Sequence, residues 1–120
     1  MKSFINIMDK FSREFVPMKF ENLIQKFYPN ANVRIAELYP CYDSAQSFYG
    51  KARVVEIEDD VFLISYDTIV AFFNKNVRTV GVIDTYSATT LRHIKEFLKQ
   101  NGFKAESKKQ IENDYIKEVA

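Results

Sequence analysis

The chain is poor in the residues that build metal sites, disulfides and phosphate-binding loops. Its 120 residues include one cysteine (Cys41), one histidine (His93), three glycines, three prolines and no tryptophan. A lone cysteine cannot form an internal disulfide, and a lone histidine excludes a site of paired histidines or Cys/His ligands, so no metal is expected. No G-x-x-x-x-G-K-[ST], G-x-G-x-x-G or G-x-S-x-G motif is present. We therefore expect a protein that holds no cofactor and is not an enzyme.

Long apolar runs are also absent. The longest uncharged stretch is well short of the ~18 apolar residues that span a bilayer, and Asp9 and Lys10 interrupt the segment where a signal peptide is continuous. The charges nearly balance, with 17 Lys and Arg against 16 Asp and Glu. We expect one cytoplasmic domain over residues 1–120, with a helical N-terminal lead (1–38) and a core (39–120).

Aromatic residues are abundant, since eleven Phe and seven Tyr make up 15% of the chain. Phe4, Phe11 and Phe15 belong to an apolar stripe at spacings of three and four, which predicts a helix over residues 3–15. A second stripe predicts a helix over about 19–28. Pro17 and Pro29 end these two helices.

A period of two begins at Lys51 and predicts strands. The segments 51–58 and 61–73 form a predicted hairpin around Asp59–Asp60, and a third strand lies within 77–83. The run 61–73 exceeds a usual strand, so we expect one long bent strand with its irregularity near Asp67. The sheet is predicted to be an antiparallel meander of about three strands; a short edge strand near 33–38 is also compatible with the alternation there.

Two C-terminal helices complete the predicted fold. An apolar stripe that includes Leu91, Ile94 and Leu98 lies between N-capping hydroxyls at 87–90 and an exit at Asn101–Gly102. After it, Ser107-x-x-Gln is a capping box that predicts a last helix. The expected class is α+β: a meander packed by the C-terminal helices, with two N-terminal helices.

Residues 39–50 have neither helical nor strand periodicity and are predicted to form a loop. Tyrosine is enriched at the centres of binding interfaces, so the aromatic residues of this loop are candidate partner-binding residues. They are Tyr39, Tyr42, Phe48 and Tyr49. The alternative is that the rings fold back and cover the sheet.

The charges are unevenly distributed along the chain. Residues 54–74 contain five acidic residues and no Lys or Arg. Four of them are candidate partner contacts: Glu56, Glu58, Asp59 and Asp60. The alternatives are charge that protects a sheet edge and, for Glu56, Glu58 and Asp60, a hard-cation site that no further ligand completes.

Basic residues recur at helical spacing in the C-terminal part, where they could follow a phosphate backbone. The candidates for nucleic-acid binding are Arg92, Lys95, Lys99, Lys108 and Lys109. Few phosphates would be neutralised, so binding of this kind would be weak and non-specific. The alternative is a solvated helix face.

Three sequence blocks resemble a known family. They are YGKA (49–52), SYDTIVA (65–71) and YSATTLRHIKEFLKQNGFK (86–104). The pattern is similar to an uncharacterised small-domain family of Gram-positive phages and mobile elements, over about residues 39–116. The resemblance implies a phage origin and carries no activity with it.

Small phage proteins commonly act by binding a host machine, and some of them are anti-CRISPR inhibitors. By that analogy we expect a non-enzymatic protein that binds and inhibits a host defence nuclease in the bacterial cytoplasm, above all a type II CRISPR effector. The alternative is a small nucleic-acid-binding accessory protein that uses the basic residues on phosphates and tyrosine rings for stacking.

Overall fold

The computed structural model describes residues 28–83 and 87–116 of the chain. The helix predicted over residues 3–15 lies outside this part. So does the second predicted helix, except for Tyr28. No helix in the described part is long and apolar enough to cross a membrane.

The described residues form one antiparallel sheet of five strands in chain order. The prediction of about three strands is therefore wrong, although the antiparallel meander itself is present. The strands are β1 (Val33–Glu37), β2 (Ala52–Ile57), β3 (Asp60–Ser65), β4 (Thr68–Asn74) and β5 (Val80–Val82).

One missing strand was hidden inside the run 61–73, which was predicted to be continuous. The chain reverses at Tyr66–Asp67, between the paired residues Ser65 and Thr68. Both turn residues have positive φ angles, 50° and 71°, as a type I′ hairpin turn requires. The irregularity predicted near Asp67 is therefore correctly located. Because neither residue is glycine or asparagine, however, the sequence did not show that it is a hairpin turn rather than a bend.

The other missing strand is β1, which pairs with β2 across the long loop 38–51. Its register places Val33 opposite Ile57 and Glu37 opposite Arg53. The pairing is non-local, so a strand signal limited to five residues was too weak to count it as part of the sheet.

The sheet is buried on both faces, which explains why β3 is apolar without alternation. A register shift between Leu63 and Ile64 leaves Val70 as an extra residue on β4. Because of this bulge, Val70 and Ala71 both join the same apolar cluster, whereas Ile69 and the next residue, Phe72, join the cluster on the opposite face.

The two C-terminal helices are confirmed. They are α1 (Ala88–Gln100) and α2 (Lys108–Tyr115), and Ser87 and Ser107 are their N-caps. The N-cap hydroxyls accept hydrogen bonds from the backbone N–H groups of Thr90 and Gln110.

These helices cover one face of the sheet, where Ile94, Phe97 and Ile111 pack against Leu63 and Phe73. The opposite face carries a second apolar cluster that consists of Tyr28, Val55, Ile57, Phe62, Ile64, Ile69 and Phe72. The loop 39–50 and the turns are among the exposed parts of the described residues.

Candidate interaction surface

A buried carboxylate in α1 holds the loop 39–50. Glu96 is 1% exposed, and its Oε1 accepts hydrogen bonds from the backbone N–H groups of Tyr42 and Asp43, both at 2.9 Å. Its Oε2 accepts from Gln100 Nε2 at 2.7 Å. Burial alone would raise the pKa of Glu96, but the hydrogen bonds from Gln100, Cys41, Tyr42 and Asp43 outweigh it and lower the pKa. The ionised carboxylate therefore fixes the loop backbone.

Two further contacts fasten the loop to the same helix. Arg92 forms a bidentate ion pair with Asp43 through Nε and Nη2, and Asp43 also accepts a hydrogen bond from the backbone N–H of Ala45. These contacts lower the pKa of Asp43 to about 2. Gln100 Nε2 also donates to the carbonyl oxygen of Tyr39 at 2.7 Å. The loop thus runs antiparallel to α1, with Tyr39 near the C-terminal end of the helix.

His93 anchors the far end of the loop in the core. Its Nδ1 lies 2.9 Å from Ser65 Oγ, which is also 3.1 Å from Thr90 Oγ1. The imidazole packs edge-on against Phe48, with ring centroids 4.7 Å apart. Phe48 is buried, so this ring folds back onto the core, as the alternative interpretation of the loop expects. Phe48 therefore cannot contact a partner directly.

The other three rings of the loop point outward, and a fourth tyrosine joins them. The exposed fractions are 60% for Tyr39, 62% for Tyr42, 80% for Tyr49 and 49% for Tyr66. Tyr66 lies in the β3–β4 turn and lies beside His93, with ring centroids 5.9 Å apart. We call these four residues the tyrosine surface. The sequence did not indicate Tyr66, because it was assigned to a continuous strand.

Two of these tyrosines have an unfavourable backbone conformation. Tyr49 and Tyr66 have φ angles of 55° and 50°, and each such residue costs on the order of 1 kcal/mol or more. The turn is held by the backbone N–H of Tyr66, which donates to the carbonyl of Lys51 at 3.0 Å, and by an ion pair of 2.6 Å between Arg53 and Asp67. The surrounding structure thus holds the backbone of the turn that carries Tyr66.

The four acidic candidates lie at the opposite end of the sheet, around the β2–β3 turn. Asp60 is buried and accepts hydrogen bonds from Tyr28 at 2.6 Å and from Asn74 at 2.8 Å. Desolvation raises its pKa, against these two bonds. Asp60 is therefore a structural residue and cannot contact a partner directly.

The remaining three acidic residues have separate surroundings. Glu56 pairs with Lys75 at 3.1 Å and with Arg34 at 3.8 Å. Asp59 accepts a hydrogen bond from Asn76 at 2.6 Å, and Glu58 is exposed in the turn. Within residues 28–83 and 87–116, no group of three or more His, Cys, Asp or Glu side chains could hold a metal ion.

The basic candidates are also divided. Arg92 forms an ion pair with Asp43. Lys95 and Lys99 lie further toward the C-terminus of α1. Lys108 and Lys109 are exposed in the first turn of α2. Arg92, Lys95 and Lys99 therefore lie on the helix that holds the loop, whereas Lys108 and Lys109 lie on α2.

These features define a small α+β domain in which a five-stranded meander and two helices support a tyrosine-rich loop. The chain belongs to a family of unknown function (DUF8033), whose family model matches residues 36–113. This match confirms the resemblance to an uncharacterised small-domain family and includes the loop, the sheet from Ala36 onward and most of α2. No curated protein and no solved structure matches the chain.

Acidification is expected to loosen the loop. Burial, with Arg92 and Lys51, lowers the pKa of His93 below 6.5, and Asp43 opposes the shift only in part. Folding therefore favours the neutral imidazole, so its contribution is complete above about pH 6.5 and is lost as the pH falls through the lowered pKa. The pKa values of Asp43 and Glu96 are also lowered. Both carboxylates therefore stabilise the folded state at neutral pH, and this stabilisation is lost below about pH 4.

Thermal unfolding between pH 7.5 and 4.5 checks this. The melting temperature should fall with pH in the wild type and fall less in His93→Gln, which keeps a neutral polar side chain. An equal decline in both proteins would show that His93 does not titrate against folding.

Proposed function

We propose that this protein is a non-enzymatic binding module that captures a partner protein on the tyrosine surface. One observation carries the proposal: four exposed tyrosines lie on a loop and a turn whose backbones are held by hydrogen bonds to the rest of the domain. Exposed tyrosines supply contact area and a hydrogen-bonding hydroxyl at little cost in side-chain entropy. A backbone that is ordered before binding removes part of the entropic cost of association.

The charges beside the tyrosines favour a partner surface of mixed character. Lys51 Nζ lies 5.5 Å from the centre of the Tyr66 ring, and Lys95 and Lys99 lie on the helix that holds Tyr39 and Tyr42. Glu37 beside Tyr39 and Asp67 beside Tyr66 add negative charge. Charges of both signs around an aromatic centre fit a partner with mixed charges around an apolar patch.

At a finer level, we propose that the partner is a host defence nuclease, and specifically a type II CRISPR effector that is inhibited stoichiometrically. This part rests on the resemblance to a phage family and on analogy with other small phage proteins. The acidic residues around the β2–β3 turn are not needed for it, because Asp60 is buried and Glu56 is paired within the molecule.

The direct test is a DNA-cleavage assay with guide-loaded type II effectors and increasing amounts of this protein. We expect inhibition that saturates near one molecule per effector. In the variant Tyr39→Ala/Tyr42→Ala/Tyr49→Ala, the dissociation constant should rise about 100-fold or more, since tyrosines at interface centres are frequent hot spots. The control is Val77→Ala, an exposed apolar residue at the opposite end of the sheet, which should inhibit like the wild type.

The outcomes separate the two levels of the proposal. If no effector is inhibited or bound, the nuclease target is wrong, and pull-down from a host lysate with the wild type and the triple variant then tests the binding module itself. Capture that is equal for both proteins would contradict a role for the tyrosines.

A second candidate function is binding of single-stranded nucleic acid, because Lys95 and Lys99 belong to the helix that holds the backbone of Tyr39 and Tyr42. Bases would stack on the rings while the two ammonium groups contact phosphates. Fluorescence anisotropy with labelled single-stranded DNA and RNA would then show a salt slope of roughly −1.4 in log K for two phosphates. The slope would be lost in Lys95→Gln/Lys99→Gln. No binding at low salt would exclude this function.

A further inference from the structure

The outer edge of β1 has backbone groups that face away from the sheet. The N–H of Leu38 donates to the carbonyl of Ala52 at 2.9 Å, which makes alternate residues of β1, including Arg34 and Ala36, the hydrogen-bonded partners of β2. The residues between them, Val33, Ile35 and Glu37, therefore direct their N–H and C=O groups outward.

The hydrogen bonds between β2 and β3 lead to the same assignment of inward and outward backbone groups. The N–H of Tyr66 donates to the carbonyl of Lys51 at 3.0 Å, so Arg53, Val55 and Ile57 direct their backbone groups toward β3. Val55 lies opposite Ile35. Because the backbone groups of Val55 point toward β3, Val55 forms no backbone hydrogen bond with Ile35. The N–H and C=O groups of Ile35 therefore point toward the outer edge of β1.

The two edges of the sheet differ in how they are protected. The β5 edge is only three residues long and follows Arg78, which has a positive φ of 56° and stacks on Phe103. The β1 strand has five residues without proline, glycine or a bulge. Its central residue, Ile35, is 52% exposed, and Arg34 and Ala36 are exposed too. Within residues 28–83 and 87–116, no strand pairs with the outer edge of β1. Arg34 and Glu37 place charge on this strand, but its central residue is apolar, and an unpaired edge of this kind is a template for pairing with another strand.

We propose that β1 pairs with β1 of a second copy of this chain, antiparallel about a two-fold axis at Ile35, so that two sheets join into one. A two-fold axis perpendicular to the sheet places one residue opposite its own copy. With Ile35 at that position, all five residues of β1 are paired and Ile35 contacts Ile35 of the second copy.

The charges of the strand favour this register over its neighbours. Arg34 then lies opposite Ala36, and Val33 lies opposite Glu37, so no like charges face each other. A shift of one residue toward the N-terminus would set Arg34 against Arg34. A shift of one residue toward the C-terminus would leave only residues 35–37 of β1 paired. The strand is therefore complementary to itself in one register.

We choose a second copy as the partner because the outward backbone groups, the apolar central residue and the charges of β1 are all complementary to those of an identical strand within five residues. The contact is small compared with the 1,200–2,000 Å² that stable interfaces bury, so the dimer should be weak and reversible. It leaves Tyr39 and the rest of the tyrosine surface outside the paired residues. The dimer can therefore be tested independently of the proposed function.

Sedimentation equilibrium from about 10 μM to 1 mM, with Ile35→Pro beside the wild type, tests the dimer. Proline at position 35 removes only the outward N–H and leaves the ladder with β2 intact, so the variant should fold, as its circular dichroism will show, and remain monomeric. Ile35→Val should associate like the wild type, and so should the triple tyrosine variant. A wild type that stays monomeric to 1 mM would overturn the proposal, and so would a dimer that persists in folded Ile35→Pro.

Disulfide trapping tests the register. The exposed Cys41 is first replaced by serine. In Ile35→Cys, the paired Cα atoms would lie about 5.5 Å apart, within the range that a disulfide spans, so mild oxidation should yield a covalent dimer. In Arg34→Cys the two cysteines would be about 8 Å apart along the diagonal, beyond that range. Stronger trapping through position 34 than through position 35 would refute the Ile35-centred pairing.

Discussion

Replacing Glu96 by alanine is expected to lower the free energy of unfolding by about 3 kcal/mol and to release the loop 39–50 from α1. The carboxylate is buried and accepts hydrogen bonds from the backbone N–H groups of Tyr42 and Asp43. Its removal takes away the acceptor that holds these two part-buried N–H groups. Hydrogen bonds to a charged group contribute roughly 1.5–3 kcal/mol each, and the loss of two bonds is offset in part by water once the loop is released.

Urea denaturation and limited proteolysis with chymotrypsin measure the two parts of this effect. Chymotrypsin cleaves after tyrosine and phenylalanine unless proline follows, which excludes the Tyr39–Pro40 bond. A released loop should therefore be cut after Tyr42 or Tyr49 well before the rest of the domain. The matched control is Glu106→Ala, an exposed carboxylate 3.8 Å from Lys104, which should change stability by less than about 0.5 kcal/mol. A Glu96→Ala protein with wild-type stability and an uncut loop would show that the carboxylate does not hold the loop.

The same variant connects stability with binding. If the tyrosine surface acts because its backbone is ordered in advance, Glu96→Ala should weaken partner binding although Tyr39 and Tyr42 are both retained. An unchanged affinity in a protein with a released loop would show that the rings, and not their preorganisation, determine binding.

Replacing Gly81 by alanine is expected to destabilise the domain by about 2–3 kcal/mol. Gly81 lies opposite Phe72 in the β4–β5 pair, and the ring of Phe72 covers the position that a side chain would occupy. A β-carbon at Gly81 would clash with Cζ of Phe72 and would lie 2.9 Å from Cε1 and Cε2. Phe72 is buried in the second apolar cluster, so the ring can move only by disturbing its neighbours.

A double-mutant cycle with Phe72→Leu isolates this contact. Leucine is shorter than phenylalanine, so the double variant should be less destabilised than the sum of the two single variants. Gly50→Ala serves as a conformational control, because Gly50 has a φ of 73° but nothing within 4 Å of an added β-carbon; it should lose only about 1 kcal/mol. Additive effects of Gly81→Ala and Phe72→Leu would contradict a direct clash.

The candidate site shows how far the loop could be predicted. The absence of periodicity over residues 39–50 predicted a loop and left open whether its rings point outward or cover the sheet. In the structure Tyr39, Tyr42 and Tyr49 are exposed. Phe48 follows the other alternative, since a phenyl ring without a polar group is better buried than its tyrosine neighbours. Whether these rings contact a partner stays a prediction.

The residues that position the loop were not predicted, and Glu96 is the clearest case. In the sequence it lies among Arg92, Lys95 and Lys99 and is typical of a solvated helix face. It is buried only because a loop from more than fifty positions earlier in the chain lies over it and supplies N–H donors. No local pattern records a contact of that separation.

The sequence by itself determined the elements whose signals are local: the two capped helices α1 and α2, the alternation of β2 and the irregular aromatic loop. The tertiary structure decided the number of strands, showed that the irregularity near Asp67 is a hairpin turn, and placed β1 beside β2 in the sheet. The physical reason is that helix caps and periodicity depend on residues within a few positions of one another. Strand pairing, the tolerance of a strained turn and the burial of a charge depend on which distant segments meet.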